Sequence, residues 1–510
     1  MKRVMAAADV QQVERVAGES FGMPASLLME NAGGELAREA LRLASASGRF
    51  FVVCGRGNNG GDGLVAARKL AAAGRLVQVE VLGGTAGLKG DPLRNLEALT
   101  TVGLVPAPIE AGTPVGPGDV VIDAVFGTGL NRAPEGIHAK AIRRMESWRA
   151  AGAKVVAVDV PSGLETDSGR PFEPCVRADL TVSFGFLKLA HVLEPGASLS
   201  GCTLVVDIGM PTPEDAGVVG PGVFLVEEAD ARSRLPRREA NTHKGSFGHV
   251  LVVAGSRGKT GAAALAALAV LRSGAGLVTV ATRPDALSSA QAHAPELMGV
   301  ELPGEGPLGP GDLDALRAAA EGKDALVVGP GIPRGEGTAA LLGALLQELH
   351  VPFVIDADGL NALVGHLELL KTAKAPVILT PHPGEMARLS GKSTQQVQQE
   401  RLQTARELAL ATGAHVVLKG SRTLIALPDG RVWINPTGNP GMATGGTGDV
   451  LAGLCGALLA QGLSAEDAAL TGVFAHGLAG DLAVKHTGRL GLIASDLLPG
   501  LQQVWLRWDR

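Results

Sequence analysis

The sequence predicts an α/β fold in two domains, each a largely parallel sheet covered by helices. Three observations carry this. At 510 residues the chain exceeds what one ordinary hydrophobic core holds. Short β-branched runs alternate with alanine- and leucine-rich stretches along its whole length. The alternation is interrupted once, near the middle, and then restarts.

The first series of runs is FFVVCG (50–55), VQVEVLG (77–83), DVVIDAVFG (119–127), KVVAVDVP (154–161), LTVSF (180–184) and TLVVDIG (203–209). The interruption begins at PTPEDAGVVGPG (211–222) and is followed by a charged stretch, RSRLPRREANTHKG (232–245). We therefore expect domains over 1–215 and 225–510. The second series is HVLVVAG (249–255), ALVVGPG (325–331), PFVIDADG (352–359), PVILTPHPG (376–384) and HVVLKG (415–420). No internal repeat relates the halves, and there is no low-complexity tail.

Composition narrows the function classes. A formal charge of −5 with scattered basic residues leaves no electrostatic footprint for nucleic acid or an anionic membrane. The four cysteines form no CxxC pair, so neither a zinc site nor a disulfide framework is expected, and a reducing cytoplasm fits. Asp9 and Glu14 fall where a signal peptide would need its apolar segment, and no run reaches transmembrane length. A soluble, unprocessed protein is expected.

Polar residues cluster after the strands. GRGNNG (55–60) satisfies G-x-G-x-x-G between a strand and a helix, with Glu80 twenty residues beyond, which taken literally is a dinucleotide fingerprint in a Rossmann-like three-layer sandwich. The loop continues Asn58, Asn59, Gly60, Gly61, Asp62, Gly63, however, and so many amide and carboxylate groups suit direct contact with a polar ligand or cation. Asp123 and Asp159 end two further strands, and the carboxyl ends of neighbouring parallel strands converge on one crevice. Any one of these acids alone would read as a helix cap or turn residue.

MPASLLMENAG (23–33), CGRGNNGGDG, DAVFGTGLNR and DVPSGL together resemble the epimerase domain of the NAD(P)H-hydrate repair enzymes. The resemblance implies substrate contacts at Asn59, Gly60, Gly61 and Asp62 and along the loop Gly127, Thr128, Gly129, Leu130, Asn131 and Arg132. It implies a potassium ion at Asn58, Asp123 and Ser162, and Asp159 as the acid/base. The family more often has arginine at the position of Asn131. Oxygen donors of this kind suit a hard cation, and inverting a hydroxyl-bearing carbon needs a carboxylate to move protons. Lys188 is a second catalytic candidate, although a solvent-facing lysine at a sheet edge is the plainer expectation.

In the second half GSRGKTG (255–261) is not a Walker A loop, because the spacing puts Val253 where the first glycine belongs. A strand, a glycine turn and a helix starting near Ala262 remain. GPGI (329–332), DADGLN (356–361), TPHPGEM (380–386), KGSRT (419–423) and GMATGGTGDVLAG (441–453) follow, most of them straight after a strand. Gly445 to Gly448 are placed to offer backbone N–H groups to a phosphoryl group at a helix amino terminus, with Asp449 beside them. A dipole-complementing helix acid would be the structural alternative.

LTPHPGEMARL and GNPGMATGGTGDVLAG resemble the dehydratase domain of the same hydrate-repair family, of ribokinase-like fold, over about 240–505. The resemblance implies hydrate contacts at Ala262, Gly331, His382 and Asp449, and nucleotide contacts at Lys419, Gly420, Ser421, Arg422, Thr423 and Gly448. The family often has glycine where this chain has Pro333. His382, flanked by two prolines, would otherwise be a loop-stiffening surface residue.

The implied protein is bifunctional: it epimerises the R and S hydrates of NADH and NADPH (NADHX and NADPHX) and dehydrates the S form with ADP, giving AMP and phosphate. The implied cofactors are potassium and magnesium, and a homo-oligomer is implied. Two other functions compete. One is a metabolite kinase on the same fold with Asp449 as base; the other makes the amino-terminal half a ligand-binding or scaffold module.

Overall fold

The computed structural model describes residues 2–110, 112–220 and 222–509. The chain divides into two compact units, one of residues 3–220 and the other of residues 222–509 with Lys2.

The first unit is built on six parallel strands in the order Val77–Val81, Phe50–Cys54, Val120–Ala124, Lys154–Val158, Leu180–Phe184 and Cys202–Val206. The alternation of side chains along each strand divides its core in two. Phe50, Val52 and Ile122 pack with Leu36, Leu64 and Leu70 from the helices Ala25–Leu43 and Asn58–Ala72. Phe51, Val53 and Val121 pack on the other face with Ile142, Met145 and Trp148 of the helix Gly136–Ala150. This is the expected three-layer sandwich. The chain runs from Phe50–Cys54 outward to Val77–Val81 and then returns to the other side with Val120–Ala124. A crevice must open at the carboxyl ends of that central pair, where the connections diverge.

The second unit has ten strands in the order Met298–Glu301, Leu277–Thr282, His249–Val253, Ala325–Val328, Phe353–Ile355, Val377–Leu379, His415–Leu418, Leu424–Ala426, Val432–Ile434 and Val223–Leu225. The first seven are parallel. Leu424–Ala426 and Val432–Ile434 add as an antiparallel hairpin. The divergence point lies between His249–Val253 and Ala325–Val328. Two helices over this sheet, Thr260–Arg272 and Thr447–Ala460, approach closely because Gly453 has no side chain: a Cβ there would lie 2.0 Å from the Ala266 carbonyl oxygen. The first of these starts at Thr260 rather than Ala262, and the second at Thr447 rather than Asp449.

Candidate active sites

At the divergence point of the first sheet lies a cavity of about 830 Å³. Asn58, Asn59 and Asp62 line it from the helix that follows Phe50–Cys54; Gly127, Thr128, Gly129 and Leu130 line it from the loop after Val120–Ala124; and Asp159 lines it from the end of Lys154–Val158. Gly60 and Gly61 stand behind this wall, where a Cβ would meet the Gly55 carbonyl oxygen at 2.0 Å and the Met29 sulfur at 2.6 Å respectively. Asn131 and Arg132 are exposed and are not among the residues lining it. The literal dinucleotide fingerprint fails at its acid: the Glu80 carboxylate is engaged by Arg144.

Asp123 and Ser162 are fully buried and in contact. The Ser162 hydroxyl and backbone N–H donate to the two Asp123 carboxylate oxygens at 2.6 and 2.7 Å. The same hydroxyl accepts from the Phe126 N–H at 2.9 Å, and the Phe126 carbonyl accepts from the Asn59 amide at 2.9 Å. Burial pushes Asp123 up to about 6, against the pull of the Ser162 hydrogen bonds. The donor set is oxygen throughout and fits a hard, weakly held cation, with Asn58 on the adjoining cavity wall.

Lys188 is not solvent-facing as expected: it is fully buried. Its ammonium forms an ion pair with Asp159 and donates to the Ser183 hydroxyl at 3.0 Å and the Phe184 carbonyl at 2.9 Å. Burial of a charge is tolerated only with such partners. Asp159 also accepts from the Phe184 N–H at 3.1 Å and holds a positive φ of 62°, a conformation aspartate tolerates better than most residues. His191 completes the group. Its Nδ1 accepts from the Lys188 N–H at 3.1 Å, so its Nε2 carries the proton and donates to the Asp159 carbonyl at 2.8 Å. Burial, then the Lys188 charge, lowers it to about 4, which keeps the ring neutral. Asp62 is held well above its ordinary value by burial and then by Asp159 and Glu14. His191 and Glu14 escaped sequence reasoning, and so did the burial of Lys188, because the groups they meet in the site lie far away in sequence.

In the second unit, loops after five adjacent parallel strands carry the expected residues. Gly331, at φ 65°, lies against Ala262 and Lys259: a Cβ on it would be 3.0 Å from both the Ala262 Cβ and the Lys259 carbonyl oxygen. Its own carbonyl accepts from the Ser256 hydroxyl at 2.7 Å. Lys259, from the rejected P-loop, is paired with Asp358 at 3.0 Å. His382 is neither a plain loop residue nor free: its Nδ1 accepts from the Gly384 N–H at 3.0 Å while Glu385 accepts from the His382 N–H at 2.9 Å, a reciprocal cap that leaves the ring half exposed.

Lys419 donates to Asp356 at 2.7 Å, and Thr380 donates to the same oxygen at 2.8 Å. Burial works to lower the Lys419 pKa, but Asp356 and Glu385 outweigh it and the net shift is upward. Gly448 lets the helix terminus lie on this pair, since a Cβ would be 3.0 Å from the Lys419 Nζ and 3.5 Å from an Asp356 oxygen. Gly446 caps the helix at φ 93°, and the first intrahelical bond runs from the Val450 N–H. The N–H groups of Thr447, Gly448 and Asp449 are therefore left for an anion. Asp449 is pushed up to about 7 by burial and then by Asp356, with Lys419 pulling the other way. Gly420, at φ 137°, packs against the Arg401 guanidinium, which donates to the Leu418 and Lys419 carbonyls at 3.3 and 3.4 Å. Ser421, Arg422 and Thr423 complete that turn, Arg422 at φ 54° and the Thr423 hydroxyl donating to the Gly420 carbonyl at 2.9 Å. Among the described residues no group of three His, Cys, Asp or Glu side chains could hold a metal ion, so a magnesium ion fits here only as one carried by nucleotide phosphates.

Comparison with known proteins agrees with this architecture. Residues 250–503 match the family described as NAD(P)H-hydrate dehydratase, and residues 25–190 match the YjeF-related protein N-terminus. The bifunctional NAD(P)H-hydrate repair enzyme Nnr of Moorella thermoacetica is 43% identical over 98% of this chain and 96% of its own length. Its Escherichia coli counterpart is 35% identical over 97% and 92%. The crystal structure of the ADP/ATP-dependent NAD(P)H-hydrate dehydratase of Bacillus subtilis, co-crystallised with ATP and Mg2+, covers 56% of this chain and 99% of that one, at 33% identity and a TM-score of 0.50. The chain belongs to the family of bifunctional NAD(P)H-hydrate repair enzymes.

Proposed function

We propose that the amino-terminal cavity epimerises the R and S hydrates of NADH and NADPH, and that the carboxy-terminal site dehydrates the S-hydrate with ADP. The observation that carries the second assignment is Asp449, a carboxyl poised near 7 beside free N–H groups at a glycine-built helix terminus. Hydroxide is a poor leaving group, so phosphorylation must precede its loss. Asp449 takes the hydroxyl proton, the hydroxyl oxygen attacks the terminal phosphorus of the nucleotide, and the terminal N–H groups and Lys419 hold the charge that develops. Phosphate then leaves as the ring nitrogen's lone pair forms a C=N bond. Loss of a proton from the neighbouring carbon restores the dihydronicotinamide. Magnesium, when bound, neutralises the nucleotide phosphates. Ala262, Gly331 and His382 would border the hydrate; Lys419 to Thr423 with Gly448 would border the nucleotide.

In the first site Asp159 is the acid/base, oriented by Lys188 and the Phe184 N–H. Asn59, Asp62 and the 127–132 loop hold the hydrate, Gly60 and Gly61 allowing the helix to stand close. Potassium, when bound at Asn58, Asp123 and Ser162, supplies a fixed positive charge beneath the cavity. The reading includes a cytoplasmic location, with which four free cysteines are compatible, and a homo-oligomer.

One incubation tests both halves: purified protein with both hydrate epimers, magnesium and either ADP or ATP, with and without potassium, resolved by chromatography. Complete return of reduced-nicotinamide absorbance with AMP and phosphate is expected, with R-hydrate consumption slowed without potassium. A stable phosphorylated hydrate would instead identify a kinase.

A further inference from the structure

The helix Ala7–Ser20 sends two side chains, Gln11 and Glu14, into the amino-terminal cavity. The adjoining face of the same helix is spent on packing through Val10, Val13 and Ala17. The neighbouring Arg15 is engaged by Glu19 and Gln12. Among the described residues nothing donates a hydrogen bond to the Glu14 carboxyl or pairs with it. This helix therefore places an uncommitted acid in a cavity that already holds Asp62, Asp159 and Lys188.

Three carboxyl groups against one ammonium cannot all ionise at no cost, because like charges sharing a site raise one another's pKa. The shifts follow that rule. Glu14 is raised by burial and then by Asp159, with Lys188 pulling it down, and Asp62 is raised by burial, Asp159 and Glu14. Asp159 is the acid that the lysine pairs with. Among the described residues neither Glu14 nor Asp62 has such a partner, and each is shifted toward its protonated form. Asp62 is 9% exposed, on the inner wall, whereas Glu14, though crowded by the cavity around it, keeps contact with water and can be reprotonated after each turnover.

We propose that Glu14 is the catalytic partner of Asp159, the group that gives a proton to the hydrate's hydroxyl while Asp159 accepts one from water. This rests on reading the cavity as the epimerase site. The hydroxyl sits on the carbon bonded to the ring nitrogen. Glu14 protonates the hydroxyl oxygen, the C–O bond breaks with its pair leaving on water, and the nitrogen lone pair forms a C=N bond. A second water attacks the opposite face, its oxygen pair makes the new C–O bond, the C=N pair returns to nitrogen, and Asp159 takes the surplus proton. One water leaves and one enters, so no oxidant or reductant is needed. Transfer through solvent returns the proton to Glu14, and the reverse reaction exchanges the two roles.

The test uses the full-length protein without nucleotide, so that only epimer interconversion is read, with the spontaneous rate subtracted. Glu14→Gln should lower kcat by about 100-fold or more with little change in KM. The wild-type rate should fall at high pH as Glu14 loses its proton, with Asp62, Asp159, Lys188, Arg56 and His138 as the charged or titratable groups around it. Glu14→Asp should recover part of the rate and keep that alkaline limb. Circular dichroism and thermal unfolding of the same preparations, followed through the transition of the amino-terminal unit, check that each variant is folded. Glu14→Gln with wild-type kcat and an unchanged alkaline limb overturns the proposal, as does a loss confined to KM. If Asp159→Asn also epimerises normally, the cavity is not the epimerase site; if it is dead while Glu14→Gln is normal, the role of Glu14 alone is refuted.

Discussion

Asp449 titrates under opposing influences. Burial and then Asp356 raise it, Lys419 lowers it, and the balance brings Asp449 to about 7. In its proposed role as base it must be deprotonated, so lowering the pH should remove activity. We expect kcat/KM for S-hydrate dehydration, which reports the free enzyme, to fall about tenfold per pH unit below the Asp449 pKa and to level off above it. Asp449→Asn should erase that limb and reduce the rate by roughly 10²–10⁴-fold, as read by nicotinamide absorbance. Asp159 stood out in the sequence because it ends a strand, and Asp449 because it lies beside a glycine run at a helix start that a simple cap does not need. Lys188 was named as a catalytic candidate, but its burial was not foreseen: SFGFLKLAH read as a sheet edge with the lysine in solvent, whereas the burial depends on an acid 29 residues away. Local pattern carries no information about such a partner.

The helix Thr447–Ala460 puts the anion-binding terminus at the site only because it seats on Thr260–Arg272. Gly453 permits that approach, and Gly446 permits it again at the terminus, where a Cβ would be 2.6 Å from a Leu265 methyl. Gly453→Ala must push the two helices apart or distort one, at a cost of about 1–3 kcal/mol as for other overpacked contacts. Thermal unfolding should show the loss in the dehydratase unit, and dehydration should weaken while epimerisation is preserved. Most of the parallel strands around both sites were legible as short apolar runs, although Leu277–Thr282 and Met298–Glu301 were passed over. Val223–Leu225, Leu424–Ala426 and Val432–Ile434 were not legible, since three residues establish no period. Only the turn residues Pro428, Asp429 and Gly430 marked the hairpin. The helix starts were misjudged by two residues because glycine and threonine were taken as loop, whereas here they form the first turn.

Each unit builds its site from its own residues: those lining the first cavity all lie between Gln11 and Met210, and Ala262 through Asp449 belong to the second unit. What joins them is the substrate, because the dehydratase site accepts one epimer and the first site replenishes it. If the epimers travel through solvent, the activities need not share a chain. Asp159→Asn should still dehydrate S-hydrate but leave R-hydrate behind, and Asp449→Asn should interconvert epimers without clearing either. An equimolar mixture of the two variants should then clear both epimers to completion, at a rate that rises with total protein concentration, followed by chromatography of the residual hydrates. A mixture that leaves R-hydrate untouched, while the wild-type chain consumes it, would show that the product of one site must pass directly to the other. A scaffold-only role for the first unit predicts a third outcome, in which Asp159→Asn alone clears R-hydrate as fast as wild type.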